Sequence, residues 1–506
     1  MEPNDFNARE QARFSKEKQL RDSVLYLLPL IVGNIFPFLT LPIFTRILTT
    51  DDYGALALAQ IYGLFASGIA NFGMTVAYDR NYYQYRGCRE KSAQLLYTSL
   101  AFVCCNFIVA GLVTFLFQEQ ISSLVVGAPQ YGPLVFFAFL ANAFAILNQY
   151  YYTYFRNAGE ARIYVAYTIA GNAVSLILSL LFVAWMRIGI IGLVYAQLLA
   201  AVFISAVLSR RLHVLYPLSF SLRILRESLK LSYPLTPRIF FGVIDTQINK
   251  YMVGLMSSMG GAGIYRIGEQ MAGLVFSYMT QLENVFIPQT YRKMFDHGNQ
   301  GGDAIGRYLT PFAYLSILVA LLIALFSQEL IYILTTPAFF GAMDIVTILT
   351  MFYACSFIGK ISGTQLIFAK KTYVASFLGF LNIGINISLC IPFITAWGAP
   401  GAAWATFTSG IIYRTVSYLW AQHYYRVGWE FRRLTAIYGA FLGASSAILL
   451  LRAMQVEYVW LLSVKFGALI LYAYVGVKIR VITLENFLLV KNMFWPSRNG
   501  ATFSGG

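Results

Sequence analysis

Tyr164-Val165-Ala166, in the first half of the chain, is followed 25 positions after the tyrosine by Gly189, and then by Gly192, Tyr195 and Ala196. In the second half Tyr373-Val374-Ala375 is followed at the same interval by Gly398, and then by Gly401, Trp404 and Ala405, an offset of 209 residues. Such a duplication in a very apolar chain points to a transporter built from two related helical bundles, with its substrate site expected between them.

Composition sets the class independently. Of 506 residues 58% are hydrophobic and 12% charged, with a mean hydropathy of +0.63, outside the usage of soluble chains. A helix needs roughly 20 apolar residues to cross the hydrocarbon layer, and that rule predicts an all-α polytopic membrane protein of about fourteen spans. The first bundle is expected at 23–44, 55–76, 93–117, 133–155, 163–185 and 189–208. The second follows at 236–257, 262–287, 308–327, 343–369, 372–395 and 400–421, and two further spans at 434–451 and 458–479 lack a counterpart. The expected organisation is an N-terminal segment 1–22, a six-helix bundle 23–208, a basic connector 209–235, a second bundle 236–425, two additional spans within 426–480, and a tail 481–506.

With the amino terminus inside, 29 of the 37 basic residues fall in inner segments, so both ends are expected to face the cytoplasm. Each bundle then has an even number of spans, which makes the copies a parallel repeat. The net charge of +15 is mostly this inner bias, split among short loops, and nucleic acid is not expected as a partner. The first span is too long for a signal peptide. In the connector Arg223, Arg226 and Lys230 recur at helical spacing beside Leu222, Leu225 and Leu229. They suggest a surface helix with a basic edge towards anionic headgroups, and the tail after Arg480 carries a similar pattern.

Several chemistries drop out. Cys104, Cys105, Cys355 and Cys390 lie inside apolar spans and Cys88 in an inner loop, without metal-ligand spacing, so neither disulfide, metal nor cofactor is expected. His213, His297 and His423 all fall in inner loops, and no outer loop is long enough to build an acid-base site alone. An enzyme is not expected.

Charge inside the membrane is the unusual feature, because a centrally placed ionised side chain costs roughly 2.5–3.5 kcal/mol on insertion scales and usually marks a pathway. Asp245, Lys360 and Arg414 lie nearest mid-span, while Arg46, Lys250 and Arg266 lie nearer the outer surface. Asp245 would be a coupling site or a counter-ion for Lys360 or Arg414; Arg46 could instead be an interfacial anchor, and Arg266 a partner of Glu269 one turn away. Arg452 and Lys465, on the additional spans, are expected to snorkel outward. Summed over the candidate cavity, Arg46, Lys250, Arg266, Lys360 and Arg414 outnumber Asp245 and Glu269. That excess suits an anionic substrate, phosphate above all. Tyr150, Tyr151, Tyr152, Tyr154 and Phe155, with Tyr82, Tyr83 and Tyr85, offer rings for sugar stacking or for an interfacial belt.

Leu41-Pro42-Ile43-Phe44-Thr45-Arg46-Ile47-Leu48 followed by Asp52-Tyr53-Gly54 resembles the amino-terminal signature of bacterial polysaccharide-repeat flippases, the Wzx-type members of the multidrug, oligosaccharidyl-lipid and polysaccharide exporter superfamily. Asp245 to Lys250 followed by Gly263-Ile264-Tyr265 is similar to the same pattern, and the span count extends the resemblance over essentially the whole chain. It implies flipping of a polyprenyl-pyrophosphate-linked oligosaccharide between leaflets of a bacterial cytoplasmic membrane, for O-antigen or other surface polysaccharide, alongside assembly enzymes. A cation-coupled drug antiporter of the same superfamily is the main alternative, although acidic residues expected deep in its first bundle are missing here. A membrane-embedded glycan polymerase or transferase is a further one.

Overall fold

The protein is described by a computed structural model covering residues 16–85, 88–233 and 236–481. Among these residues every regular element is helical. The order is α1 (Lys16–Phe44), α2 (Thr50–Ala70), α3 (Met74–Tyr85), α4 (Arg89–Leu116), α5 (Gln118–Val125), α6 (Gly132–Asn157), α7 (Ala161–Ser179), α8 (Ile191–Leu215) and α9 (Leu222–Ser232). It continues through α10 (Thr236–Met256), α11 (Met259–His297), α12 (Gly302–Leu325), α13 (Ser327–Leu334), α14 (Ala342–Phe368), α15 (Thr372–Trp397), α16 (Ala399–Tyr424), α17 (Phe431–Ala453) and α18 (Tyr458–Lys478).

Ten of these helical stretches are long and apolar enough to cross a membrane. Four more long helices, α1, α10, α11 and α16, coincide with the remaining expected spans. Three of the four carry intramembrane charges read from sequence: α10 holds Asp245 and Lys250, α11 holds Arg266 and Glu269, and α16 holds Arg414. The chain is an all-α multi-pass membrane protein.

The described helices form two compact units, one reaching to Arg266 and joined by Ile333–Phe339, the other comprising Ile267–Tyr332 and the residues from Phe340 onward. In the first unit α2 opens with a reciprocal cap. Thr49 Oγ1 accepts from the Asp52 backbone N–H at 3.1 Å and Asp52 Oδ2 accepts from the Thr49 N–H at 2.9 Å, so two donors at the helix end are satisfied. The next turn touches the start of α11 backbone to backbone. A Cβ on Gly54 would stand 1.8 Å from the Met259 carbonyl oxygen, and one on Gly263 would stand 2.1 Å from that of Thr50. Glycine is required at both positions, and through them the two segments that carry the family resemblance pack on one another.

The second expected span, 55–76, is interrupted. The α2 helix stops at Ala70, Phe72 and Gly73 take positive φ of 50° and 64°, and α3 runs on to Tyr85. Side chains repair the break: Asn106 Nδ2 donates to Ala70 O at 3.0 Å, Tyr150 OH to Asn71 Oδ1 at 2.6 Å, and Asn71 Nδ2 to Thr75 Oγ1 at 2.7 Å. Irregular backbone survives at this depth only with such partners. The connector does form a surface helix, α9, capped by Ser221. It buries Ile224, Ser228 and Ser232 and exposes Arg223, Arg226 and Lys230. The basic segment beyond Val481 lies outside the described residues.

The repeat signature has a physical basis in each unit. Gly189 and Gly398, at the corners leading into α8 and α16, have φ of 82° and 61°, a region that disfavours any Cβ. Three residues on, a Cβ at Gly192 would meet Phe182 at 3.1 Å, and one at Gly401 would meet the Phe393 carbonyl at 1.9 Å. In the second unit the core runs through α11, α12, α14, α17 and α18. Tyr314 and Tyr472 stack at 4.7 Å and each donates to the other's carbonyl, at 3.3 and 2.8 Å, which ties the last helix to α12.

Gly54→Ala and Gly263→Ala are expected to destabilise the protein by about 1–3 kcal/mol each through overpacking. Gly68→Ala, whose Cβ would meet nothing within 4 Å, should be neutral. Thermal melting of the detergent-solubilised variants separates the two cases.

Candidate functional site

Glu269, Phe276 and Glu283 recur every seven residues on α11, two turns apart and so on one stripe of the helix. From that stripe Glu283 meets Lys360 of α14, with Nζ 3.1 Å from Oε1 and 3.2 Å from Oε2. The Phe276 ring lies 5.3 Å from the same ammonium, within reach of a cation–π contact. The pair is not sealed: the Lys360 side chain is 36% exposed and that of Glu283 13%.

Arg414 of α16 stands beside it. Its guanidinium carbon lies 4.2 Å from the centroid of Phe352, and its side chain runs over Gly359, the residue before Lys360, where a Cβ would come within 3.2 Å of Cγ. A Cβ on Gly410 would likewise stand 2.9 Å from Nη1, so two glycines make the channel in which the side chain lies. Nη1 is buried without a hydrogen-bond partner among the described residues, and no carboxylate there stands within ion-pair distance of it. Tyr353 lies within electrostatic reach of both Glu269 and Arg414, and its ring is 5.2 Å from Phe352 and 5.5 Å from Phe276. The second unit thus gathers Lys360, Arg414 and Glu269 around one aromatic patch. It adds Glu283, which is not among the residues expected at the cavity. The expected span ended at 287, leaving Glu283 near an inner end, whereas α11 continues to His297 and places it well inside the helix.

The other predicted residues belong to the first unit. Arg46 is exposed in the turn after α1, between backbone contacts of Thr45 with Leu41 and Thr336. On α10 Asp245 is exposed, Asn249 buried and Lys250 half-buried. Half-buried Arg266 acts electrostatically on buried Tyr53, whose ring meets Phe339 edge-on at 5.3 Å.

Two expectations give way. The tyrosine-rich stretch is mostly core: Tyr82, Tyr150, Tyr151, Tyr154 and Phe155 are buried in the first unit, Tyr85 and Tyr152 are half-buried against it, and Tyr83 is exposed. Tyr78 joins Tyr82 and Tyr150 there in edge-on contacts of 6.5 and 5.4 Å. Arg452 and Lys465 do not snorkel. Lys465 is 0% exposed, with Nζ 2.6 and 2.8 Å from the oxygens of Glu329, which also accepts from Tyr458 OH at 2.8 Å. Arg452 reaches Asp344 at 3.0 Å and Ser327 at 2.6 Å.

The sequence matches the polysaccharide biosynthesis protein family over residues 20–292, more than half the chain. The chain belongs to that family. No curated protein matches it in a sequence comparison. Among solved structures it is similar to the lipid II flippase MurJ in an inward closed conformation, at 15% identity and TM-score 0.70, covering 91% of this chain and 99% of that one. An inward-facing multidrug resistance MATE family transporter of the MOP superfamily aligns at 16% identity and TM-score 0.61, over 78% and 97%. A MOP superfamily transporter from Pyrococcus furiosus aligns at 15% and 0.56, over 81% and 95%. At such identities the likeness is one of fold.

Glu329→Gln or Lys465→Met alone should destabilise the protein by about 3–5 kcal/mol, because each strands a buried charge or its partner. The double variant Glu329→Leu/Lys465→Met is expected to recover most of that loss. Thermal melting in detergent reads both.

Proposed function

We propose that the protein is a flippase that moves a polyprenyl-pyrophosphate-linked oligosaccharide from the cytoplasmic to the outer leaflet by alternating access, without chemical conversion of its cargo. The surface polysaccharide served would be of the O-antigen or lipopolysaccharide kind, with both termini in the cytoplasm of a bacterial inner membrane and assembly enzymes as neighbours. The division into bundles at 23–208 and 236–425, with 426–480 added, belongs to this reading.

The observation that carries it is the pair Lys360 and Arg414, two cations inside the helical region of a polysaccharide biosynthesis family member, one of them with a buried unpartnered nitrogen. Arginine grips phosphate oxygens bidentately and lysine supplies a point charge. A diphosphate would complete the hydrogen bonding of Arg414 and share Lys360. Arg46, Lys250 and Arg266 are assigned to the same anionic path, with Asp245 and Glu269 as coupling or counter-ion groups. The apolar chain needs no polar partner and would remain in the bilayer.

Leaflet transfer of a labelled polyprenyl-pyrophosphate oligosaccharide in proteoliposomes tests the reading. A contact to a charged group is worth about 1.5–3 kcal/mol, so Lys360→Ala and Arg414→Ala should each slow transfer roughly ten- to hundredfold. Arg414→Lys should fall in between. Wild-type rates from both correctly inserted alanine variants would remove the charge grip. Absence of transfer by wild type, together with cation-driven dye efflux, would put the antiporter in its place.

A further inference from the structure

Glu283 occupies the place an anionic ligand must take to reach Lys360. Its two oxygens lie 3.1 and 3.2 Å from Nζ, and the Phe276 ring lies over the same ammonium at 5.3 Å. The lysine is the more open member, 36% exposed against 13% for the glutamate. The carboxylate is therefore anchored within the helix packing while its partner borders open space. Arg414, one residue along α14 at Gly359, has no such internal anion among the described residues.

Both cations lie on long helices of a membrane protein, and bulk phospholipids present monoanionic phosphodiesters in large excess over any lipid-linked intermediate. A bare lysine and arginine would fill with those headgroups. With Glu283 in place, a monoanion displacing the carboxylate exchanges one charge for one and gains nothing at Lys360. A diphosphate brings a charge on each phosphorus, so it can replace the carboxylate at Lys360 and also reach Arg414. Discrimination then comes from a built-in competitor, a way of obtaining specificity by penalising the wrong ligand.

Resting on the flippase reading, we propose that Glu283 is a specificity-determining residue, an internal anion that holds Lys360 against monoanionic phospholipid and yields it to a lipid-linked diphosphate.

The test uses the purified full-length chain in detergent, titrated with farnesyl diphosphate, inorganic pyrophosphate and short-chain phosphatidylglycerol, with binding read by native mass spectrometry. Wild type should prefer farnesyl diphosphate to phosphatidylglycerol. Glu283→Gln, which keeps shape and removes charge, should raise phosphatidylglycerol affinity about tenfold or more and so narrow the preference. Glu283→Asp should largely keep it. An unchanged preference in Glu283→Gln overturns the role of Glu283 alone, whereas wild-type protein that binds no farnesyl diphosphate overturns the flippase reading itself. Pyrophosphate should compete with farnesyl diphosphate, and failure to do so would assign binding to the prenyl chain and overturn the proposal. If Glu283→Gln does not fold, Lys360→Gln decides: it should weaken farnesyl diphosphate and leave phosphatidylglycerol unaltered, and an equal loss of both would mean that monoanions already use Lys360.

Discussion

A peptide group without a hydrogen-bond partner in hydrocarbon costs several kcal/mol, and several departures from regular helix among the described residues show how that cost is met. Corners fall where a glycine can take positive φ, at Gly189 and Gly398. At the interruption after Ala70, Asn106 donates to the freed Ala70 carbonyl while Tyr150 holds the Asn71 side chain beside it. The same demand explains why α2 and the start of α11 approach through Gly54 and Gly263: with backbone bonds internal to each helix, two helices can lie in direct contact wherever side chains are absent. The segments of the sequence that look most like a signature are the places where backbone geometry leaves no alternative residue.

Charges obey a parallel constraint with a different outcome. A buried ion is tolerated when partners replace its hydration, and the second unit shows graded degrees of replacement. Lys465 is fully enclosed and held by both oxygens of Glu329, with Tyr458 adding a further hydrogen bond to that carboxylate. Lys360 has a carboxylate and a ring, yet keeps a third of its side chain open. Arg414 has a ring and glycine walls, but a nitrogen left over. The first arrangement holds the last helices to the bundle. The other two are less completely enclosed, and it is on them that the proposed anion grip rests.

Much of the fold was legible because hydropathy and glycine spacing are local properties. Thirteen of the fourteen expected spans coincide with long helices, the exception being 55–76, where the helix breaks after Ala70, and the repeat of 209 residues rests on positions whose geometry is explicit. What sequence could not supply was pairing. Lys465 and Arg452 were read as snorkelling because their carboxylates, Glu329 and Asp344, lie over a hundred positions away. Glu283 was lost for a related reason: a hydropathy boundary at 287 concealed ten further residues of helix, and depth is measured from helix ends. The tyrosines of 150–154 failed differently. Aromatic rings near an expected interface can face lipid, sugar or a neighbouring helix, and only the packing of α3 and α4 against α6 decides that they form core.

The two lysine–glutamate pairs of the second unit, Lys465 with Glu329 at 2.6–2.8 Å and Lys360 with Glu283 at 3.1–3.2 Å, belong to one packed body. The enclosed pair is the shorter one, and the two differ as much in their surroundings as in distance. At Lys465 no accessible face remains, so a ligand would have to unpack α18 from α13 to reach it. At Lys360 a third of the side chain is exposed and one carboxylate holds the ammonium. A pair that is half-open within a span sits close to the point where attraction and desolvation balance, and a small change in the charge of its surroundings can tip it. That property suits a transporter, whose site must hold its cargo in one state and surrender it in the next. On the proposed reading a stronger pair would exclude the substrate, and an unpaired lysine would hold whichever anion the membrane supplied first.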